Sequence, residues 1–329
     1  MATDNKPTVC FLGPEASYSH QAVKLAFSEA EWDLRPVTTI DDIFVTVQKG
    51  LTTAGVIPFE NSTNGSVVFT LDDLADRDGR FPDIQIIGEV YVDVHHCLVG
   101  HKSAVNAADD VGSGACTPTA SDPSPTKPKS KPLSDLKHIQ RLYSHPQAFG
   151  QCNNFISHYL KGVEVFDVSS TSKAAEMVSH DETGTWAAIS SSLAAQVHGL
   201  DLLGKAIEDR DDNTTRFLVI AKSHQVGDIW KPATPPPADL GSKSLVSFTV
   251  SHRSPGALAR VLGCFRDHDI NLTSINSRPS LVQPFQYIFF VELEGHRRKD
   301  PEKKVASALE EIDKVADTWR WLGSWERYR

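Results

Sequence analysis

The chain has 329 residues, enough for two or three domains with sizeable cores, and its 40% hydrophobic and 23% charged content is that of an ordinary globular protein. A formal net charge of −9 argues against a nucleic-acid binder, which needs a basic face, so an anionic ligand must be held by local geometry rather than by the overall field. Five scattered cysteines, odd in number and without a Cys-x-x-Cys pair, argue against a disulfide scaffold or zinc site and for a reducing compartment.

The start passes from Met1 almost directly into an apolar run at 8–12, which leaves no room for a secretory or transit signal. No apolar run approaches the roughly 20 residues of a membrane span, so the expectation is a cytosolic protein with no membrane or nucleic-acid partner. From there short apolar runs alternate with helical patterns, which argues for an α/β layer fold. Strands are predicted at 9–12, 34–37, 54–57, 84–94, 140–143, 163–168 and 186–189, and helices at 19–28, 40–48, 67–74, 146–159, 172–179 and 191–198. The apolar run at 84–99 is too long for one average strand and could carry the chain from one lobe to another.

Two segments read as linkers. Residues 105–132 are rich in Ser, Thr and Pro and lack apolar anchors, and are expected to form a disordered surface insertion. Residues 229–243, with Lys231-Pro-Ala-Thr-Pro-Pro-Pro, read as a stiff spacer before a C-terminal part. That part reads β-α-β-β-α-β, the ferredoxin-like pattern. A strand at 245–250 precedes a helix opened by Ser254-Pro255-Gly256, with Pro255 in its first turn and Leu258, Val261, Leu262 and Phe265 as its apolar stripe. Phe285, Tyr287, Phe289, Val291 and Leu293 alternate as in a sheet with one buried face. Val305, Leu309, Ile312 and Val315 form a second stripe, and 318–325 closes the sheet.

Most joints between strand and helix in the N-terminal part carry small polar residues: Gly13-Pro14-Glu15-Ala16-Ser17-Tyr18-Ser19, Pro58-Phe59-Glu60-Asn61-Ser62-Thr63-Asn64-Gly65-Ser66, Ser144-His145-Pro146-Gln147 and Ser169-Ser170-Thr171-Ser172. Helix N-termini with hydroxyls, at the carboxyl ends of strands, attract anions, although any one such turn is equally a plain N-cap. Asn213-Thr214-Thr215-Arg216-Phe217 adds a hydroxyl beside a guanidinium, whose fork can hold a carboxylate through two parallel hydrogen bonds. Together these turns read as a lined cleft.

In this order and spacing, Ile57-Pro58-Phe59-Glu60-Asn61-Ser62-Thr63-Asn64-Gly65-Ser66-Val67, Ser144-His145-Pro146-Gln147-Ala148, Ser169-Ser170-Thr171 and Thr215-Arg216-Phe217 resemble the successive motifs of prephenate dehydratases. The C-terminal part resembles an ACT regulatory domain, with Pro255-Gly256-Ala257-Leu258 and Ser277-Arg278-Pro279. The resemblance implies a two-lobed catalytic part like a type II periplasmic binding protein over 7–225, with lobe 1 at 7–92 and 200–225 and lobe 2 at 93–199, and an ACT domain over 244–329. It implies the conversion of prephenate to phenylpyruvate, water and carbon dioxide, without a cofactor or metal because aromatisation drives the elimination. It also implies phenylalanine as allosteric inhibitor and a homo-dimer or homo-tetramer.

On this resemblance Thr215 corresponds to the family's essential threonine and is expected to hydrogen-bond the leaving hydroxyl, while Arg216 anchors a substrate carboxylate. Asn61, Ser62, Ser144, Gln147, Ser170, Thr171 and Phe217 are expected around the substrate. Glu60 is assigned either to a helix cap or to proton supply. His145 either acts as an acid or braces its turn, and Cys152 packs. The effector is expected against Gly256, Ala257 and Leu258 on one edge and Asn276, Ser277, Arg278 and Pro279 on the other. The chain departs from the family pattern at Asn276, where the family has Glu, and at Ala16-Ser17-Tyr18, where it has Gly-Thr-Phe. No chorismate mutase segment precedes the first strand, so a monofunctional enzyme is expected. The alternatives are an arogenate dehydratase, a non-catalytic two-lobed amino-acid sensor and an exported solute-binding protein.

Overall fold

The computed structural model describes residues 6–103, 128–223, 230, 237, 240–251 and 253–329. The chain forms two compact units, one of Met1–Leu12, Ala22–Tyr91 and Arg216–Arg329, the other of Gly13–Gln21 and Val92–Thr215. The fold class is α/β as expected, a mixed α/β part distributed over the two units followed by a βαββαβ domain. The return to the first unit falls at Arg216, later than the expected residue 200. The reason is that the chain after 200 first adds a strand, Asp201–Gly204, antiparallel to Cys97–Gly100 in the second unit.

The first unit is built on β1 (Thr8–Leu12), β2 (Asp33–Val37), β3 (Ala54–Asn61), β4 (Gly65–Ser66) and β5 (Ile84–Asp93). Val9, Cys10 and Phe11 are all fully buried, as a parallel strand covered on both faces requires. The helix Ile40–Gln48 begins with a capping box, Asp42 N–H donating to Thr39 Oγ1 at 3.1 Å and Thr39 N–H to Asp42 Oδ2 at 2.9 Å. Its Ile40, Ile43, Phe44 and Val47 recur at helical spacing and face the core. The expected run at 84–99 is two strands, β5 and β6 (Cys97–Gly100), with His95 and His96 between them.

The second unit holds a five-stranded sheet in the order β10-β6-β9-β7-β8, where β7 is Arg141–Ser144, β8 Glu164–Asp167, β9 Trp186–Ser190 and β10 Asp201–Gly204. The helix expected over 146–159 is two, Pro146–Gln151 and Asn153–Tyr159, broken at Cys152, whose φ of −126° and ψ of 22° leave the helical region. Residues 105–127 of the expected insertion lie outside the described residues. Residues 128–132 are anchored: Lys129, half-buried, pairs with Glu208 at 3.0 Å and with Asp211, and Pro132 bridges Gly204.

The C-terminal domain runs β12 (Ser242–Thr249), α8 (Ala257–Asp267), β13 (Leu272–Pro279), β14 (Tyr287–Glu294), α9 (Lys304–Val315) and β15 (Thr318–Glu326). Three expectations need correction here. Ser242 and Lys243 belong to β12 rather than to the spacer, most of which lies outside the described residues. Pro255 precedes α8, whose N-cap is Gly256 at φ 73°. Phe285 is 84% exposed, at φ 62°, in the turn before β14.

The sheet also has two buried faces instead of one. Val291 and Leu293 pack on α8 and α9, while Phe290 on the opposite face joins Ile43, Phe44, Leu245, Leu322 and Trp325 in the core of the first unit. One ten-stranded sheet results, in the order β13-β14-β12-β15-β5-β11-β3-β1-β2, with β11 (Thr214–Lys222) between β5 and β3 and β4 paired to β3. Its seam is the parallel pairing of Gly323 on β15 with Ile86 on β5. Among the described residues no helix is long and apolar enough to cross a membrane.

Gly323 sits at φ 148°, and a Cβ there would lie 2.1 Å from the Ile86 carbonyl oxygen. Gly323→Ala is therefore expected to destabilise the protein by about 3 kcal/mol through strain and overlap at the seam, read as a lower urea midpoint.

Candidate functional site

Arg216 is 3% exposed and lies at the centre of a buried charge cluster in the first unit. Its strand β11 lies between β5 and β3, and each neighbour offers a carboxylate. Arg216 Nη1 donates to Glu60 Oε1 on β3 at 3.0 Å, and Nη2 lies 2.7 Å from Glu89 Oε2 on β5. Glu292, on β14 of the C-terminal domain, accepts from the same Nη2. Lys243 on β12 joins from the other side, 3.3 Å from Glu292 and 3.7 Å from Glu89. Thr273 Oγ1 donates to Glu292 Oε1 at 2.6 Å, and the Tyr328 N–H to Glu89 Oε1 at 2.9 Å. The rings of Phe59, Tyr91 and Trp325 lie 5.4–5.9 Å from the guanidinium carbon.

Arg216, Glu89, Glu292 and Lys243 are all nearly inaccessible, whereas the Glu60 side chain keeps about a third of its surface. Burial would lower the Arg216 pKa, but Glu89 and Glu292 outweigh it and raise it, so the guanidinium stays charged. Burial alone would raise Glu292, yet Arg216 and Lys243 hold its carboxyl below the usual range. Burial pushes the Tyr91 phenol well up, keeping it a neutral hydroxyl.

The expected fork from Arg216 to a substrate carboxylate therefore has other occupants: the carboxylates in its grasp are the protein's own. The pleat of β11 gives the reason. Successive side chains on a strand point to opposite faces, so Thr215 and Arg216 cannot line the same surface. Phe217, expected beside the substrate, is 1% exposed and belongs to the core. Glu60 caps no helix; it lies on β3 opposite Ser66. Asn61 closes the following turn, Oδ1 accepting from the N–H groups of Thr63 and Asn64 at 3.0 and 2.9 Å, and Ser62 is exposed.

In the second unit Ser144 is fully buried and donates to the Ile189 carbonyl at 2.8 Å, which ties β7 to β9 and corrects its expected role as a carboxylate donor. His145 braces its turn, its Nδ1 accepting from the Gln147 N–H at 3.3 Å, while the Gln147 side chain is exposed. Ser170 is the N-cap of the helix Thr171–Ser179, accepting from Lys173 N–H at 3.0 Å, and Thr171 opens that helix half-exposed. Burial pushes the Cys152 thiol well up, so it packs rather than attacks. The Tyr18 hydroxyl donates to the His95 carbonyl at 3.2 Å and lies 3.0 Å from His96 Nδ1, with His96 Nε2 2.7 Å from Gln151 Oε1 and Asn213 Nδ2 donating to that oxygen at 3.2 Å. Ala16 holds φ at 63°, a conformation that favours glycine.

The second expected site, for an effector, is already tied to the catalytic part of the first unit. Ser66 Oγ donates to Asn276 Oδ1 at 2.6 Å. Arg278 grips Asp72, on the helix Val68–Ala75, with two bonds of 2.9 and 2.8 Å, and the Pro279 carbonyl accepts from Arg77 at 2.9 Å. Ser277 is exposed, Ala257 buried and Leu258 half-buried on the first turn of α8. Glu89, Lys243 and Glu292 were missed by the reading of the sequence. Their signal is a lone charge inside an apolar strand, as in Ile86-Ile87-Gly88-Glu89-Val90 and Phe290-Val291-Glu292-Leu293, because such charges are seldom buried unless paired.

A family model described as prephenate dehydratase matches residues 9–225, and one described as ACT domain matches 244–316. The chain is 33% identical to a bifunctional chorismate mutase/prephenate dehydratase of Aquifex aeolicus over 99% of its own length and 75% of that protein's. It is also 33% identical to a prephenate dehydratase of Methanocaldococcus jannaschii, covering 90% of each chain. A solved structure of prephenate dehydratase in complex with L-Phe, from Arthrobacter aurescens, superposes with a TM-score of 0.75 at 26% identity, over 98% of this chain and 90% of that one.

The buried cluster sets a pH signature. Because the folded state depresses the Glu292 carboxyl, its contribution is full above the ordinary value of 4.5 and is lost as pH falls through the lower folded value. The stability gap between wild type and Glu292→Gln, measured by urea unfolding, is expected to be wide at neutral pH and to narrow below 4.5. A gap that widens on acidification contradicts the pairing. Lys243→Met, which leaves two buried carboxylates short of a cation, is expected to cost about 3 kcal/mol in the same measurement.

Proposed function

Since the chain belongs to the prephenate dehydratase family and carries an ACT domain, we propose that Thr215 addresses the leaving hydroxyl of prephenate while Arg216 sets the electrostatics behind it. The observation that supports this division is the pleat of β11, which turns Arg216 into a buried cluster and Thr215 to the opposite face. In the reaction the bond from the ring to its carboxylate breaks, and its electron pair enters the ring. The bond from the ring carbon to the hydroxyl breaks at the other end with its electron pair on oxygen, and the departing hydroxide takes a proton from solvent to leave as water. A hydrogen bond from the Thr215 hydroxyl to that oxygen stabilises the charge as it develops. A threonine hydroxyl is too weak an acid to titrate near neutrality, so it orients and stabilises the departure.

With Arg216 occupied, recognition of the substrate carboxylates falls to groups that remain at a surface. These are Asn61, Ser62, Gln147, and Ser170 with Thr171 at a helix start, where the free backbone N–H groups favour an anion. Glu60 is the member of the buried cluster that reaches toward solvent, and it carries the influence of Arg216 outward. The chain's cytosolic setting is part of the same proposal, supported by four free, buried cysteines among the described residues.

Phenylalanine is the proposed effector, supported by the Arthrobacter aurescens relative in complex with L-Phe. The proposed contacts are Gly256, Ala257 and Leu258 with Asn276, Ser277, Arg278 and Pro279. A homo-oligomer, dimer or tetramer, is proposed with it. Its support is β13, an edge strand of the sheet, with Ile275 half-exposed and Leu281, Val282 and Phe285 largely exposed beside it.

Thr215→Val is expected to keep the fold and lose at least about tenfold in turnover of prephenate to phenylpyruvate; near-normal turnover sinks the assignment. Arogenate assayed beside prephenate decides between the two substrates. Adding phenylalanine is expected to slow the wild-type reaction, and an unchanged rate removes the effector proposal.

A further inference from the structure

We propose that Glu292 is a positioning residue for the elimination: through Arg216 it sets the placement of β11 at Thr215 and of the Glu60 carboxylate, so that the C-terminal domain takes part in turnover even without effector. The inference rests on the assignment of Thr215 to the leaving hydroxyl.

The geometry carries it in three steps. First, Arg216 follows Thr215 directly in β11, so whatever fixes the guanidinium fixes the backbone that presents the Thr215 hydroxyl. Second, the two terminal nitrogens of the guanidinium are divided between partners. Nη1 holds Glu60, the exposed arm of the cluster, while Nη2 is shared by Glu89 and Glu292. Removing Glu292 leaves Nη2 to Glu89 alone and frees the guanidinium to rotate about its side-chain bonds, which moves the nitrogen that holds Glu60.

Third, Glu292 itself is held from two sides within the C-terminal domain. Thr273 on β13 donates to Oε1 at 2.6 Å, and Lys243 on β12 lies 3.3 Å from the same oxygen. Its other oxygen is thereby turned to Arg216. A contact of only architectural purpose needs no such orientation, because the apolar packing of Phe290, Leu245, Leu322 and Trp325 already joins this domain to the core of the first unit. The formal charges of the cluster are two cations, Arg216 and Lys243, against three carboxylates, Glu60, Glu89 and Glu292, a net of 2 − 3 = −1. Neutralising Glu292 changes that sum to zero and alters the field at Glu60.

The test uses the full chain and four proteins: wild type, Glu292→Gln, Arg216→Lys and the double variant. Steady-state kcat and KM for prephenate are measured beside melting temperature. Glu292→Gln is expected to lower kcat about tenfold with KM within about twofold of wild type, the pattern of a lost transition-state contribution. In the Arg216→Lys background the same change is expected to add little, because the two residues act through one contact. Unchanged kcat in Glu292→Gln, or losses that simply multiply in the double variant, overturns the proposal.

If Glu292→Gln fails to fold, Thr273→Val removes only the hydroxyl that orients Glu292. It is then expected to lower kcat about threefold without a matching loss in melting temperature, as the loss of one orienting hydrogen bond would, and a normal kcat overturns the proposal. Thr215→Val run in parallel separates the two readings. Normal turnover there rejects the assignment of Thr215, whereas impaired turnover there with a normal Glu292→Gln rejects the role of Glu292 alone.

Discussion

One guanidinium held by three carboxylates from three strands is the constraint on which the rest of the first unit depends. Arg216 binds Glu60 on β3, Glu89 on β5 and Glu292 on β14. A buried ion cluster of this kind is a poor source of net stability, since desolvation offsets most of the attraction, but a wrong arrangement is costly because it strands a charge. The cluster therefore acts as a registration device. It accepts one alignment of β11 against its neighbours and one docking of the C-terminal sheet, and it penalises the others. The apolar core around Phe290, Leu322 and Trp325 provides the bulk attraction, which is indifferent to small shifts.

Within the first unit the C-terminal domain is in direct contact with the strands that precede it. The C-terminal domain reaches the catalytic part at two places with different character. Glu292 and Lys243 reach the strand that carries Thr215 through buried charge. Asn276 and Arg278 reach Ser66 and Asp72, beside the Glu60-Asn61-Ser62 turn, through hydrogen bonds at a half-exposed surface. Anything that shifts β13 pulls on the second set directly, and on the first through Thr273, which lies on the same strand. Asn276 meets Ser66 as a neutral amide, so that tie carries no ionic component.

Much of this fold was legible in the residues. Periodicity placed the helix Ile40–Gln48 and the βαββαβ order of the C-terminal part, and motif order brought out the family before any contact was known. The errors have physical sources. The spacing of polar residues cannot show that Ser144 is sealed under β9, because burial of a hydroxyl depends on a partner carbonyl 45 residues away. Glu292 escaped the reading of the sequence because it falls between the alternating apolar residues of β14 and its partner Arg216 is 76 residues distant. Thr215 and Arg216 are adjacent in β11, and in a strand adjacent residues face apart. A hydroxyl beside a guanidinium in the sequence is thus a division between two faces in the structure.

The most direct test of the account is the kinetic signature of Arg216→Lys with prephenate. If Arg216 works from behind the strand, kcat falls while KM stays near the wild-type value. A variant whose KM rises steeply while kcat is preserved would show that the guanidinium holds substrate in the ground state, and it would contradict the buried role assigned here.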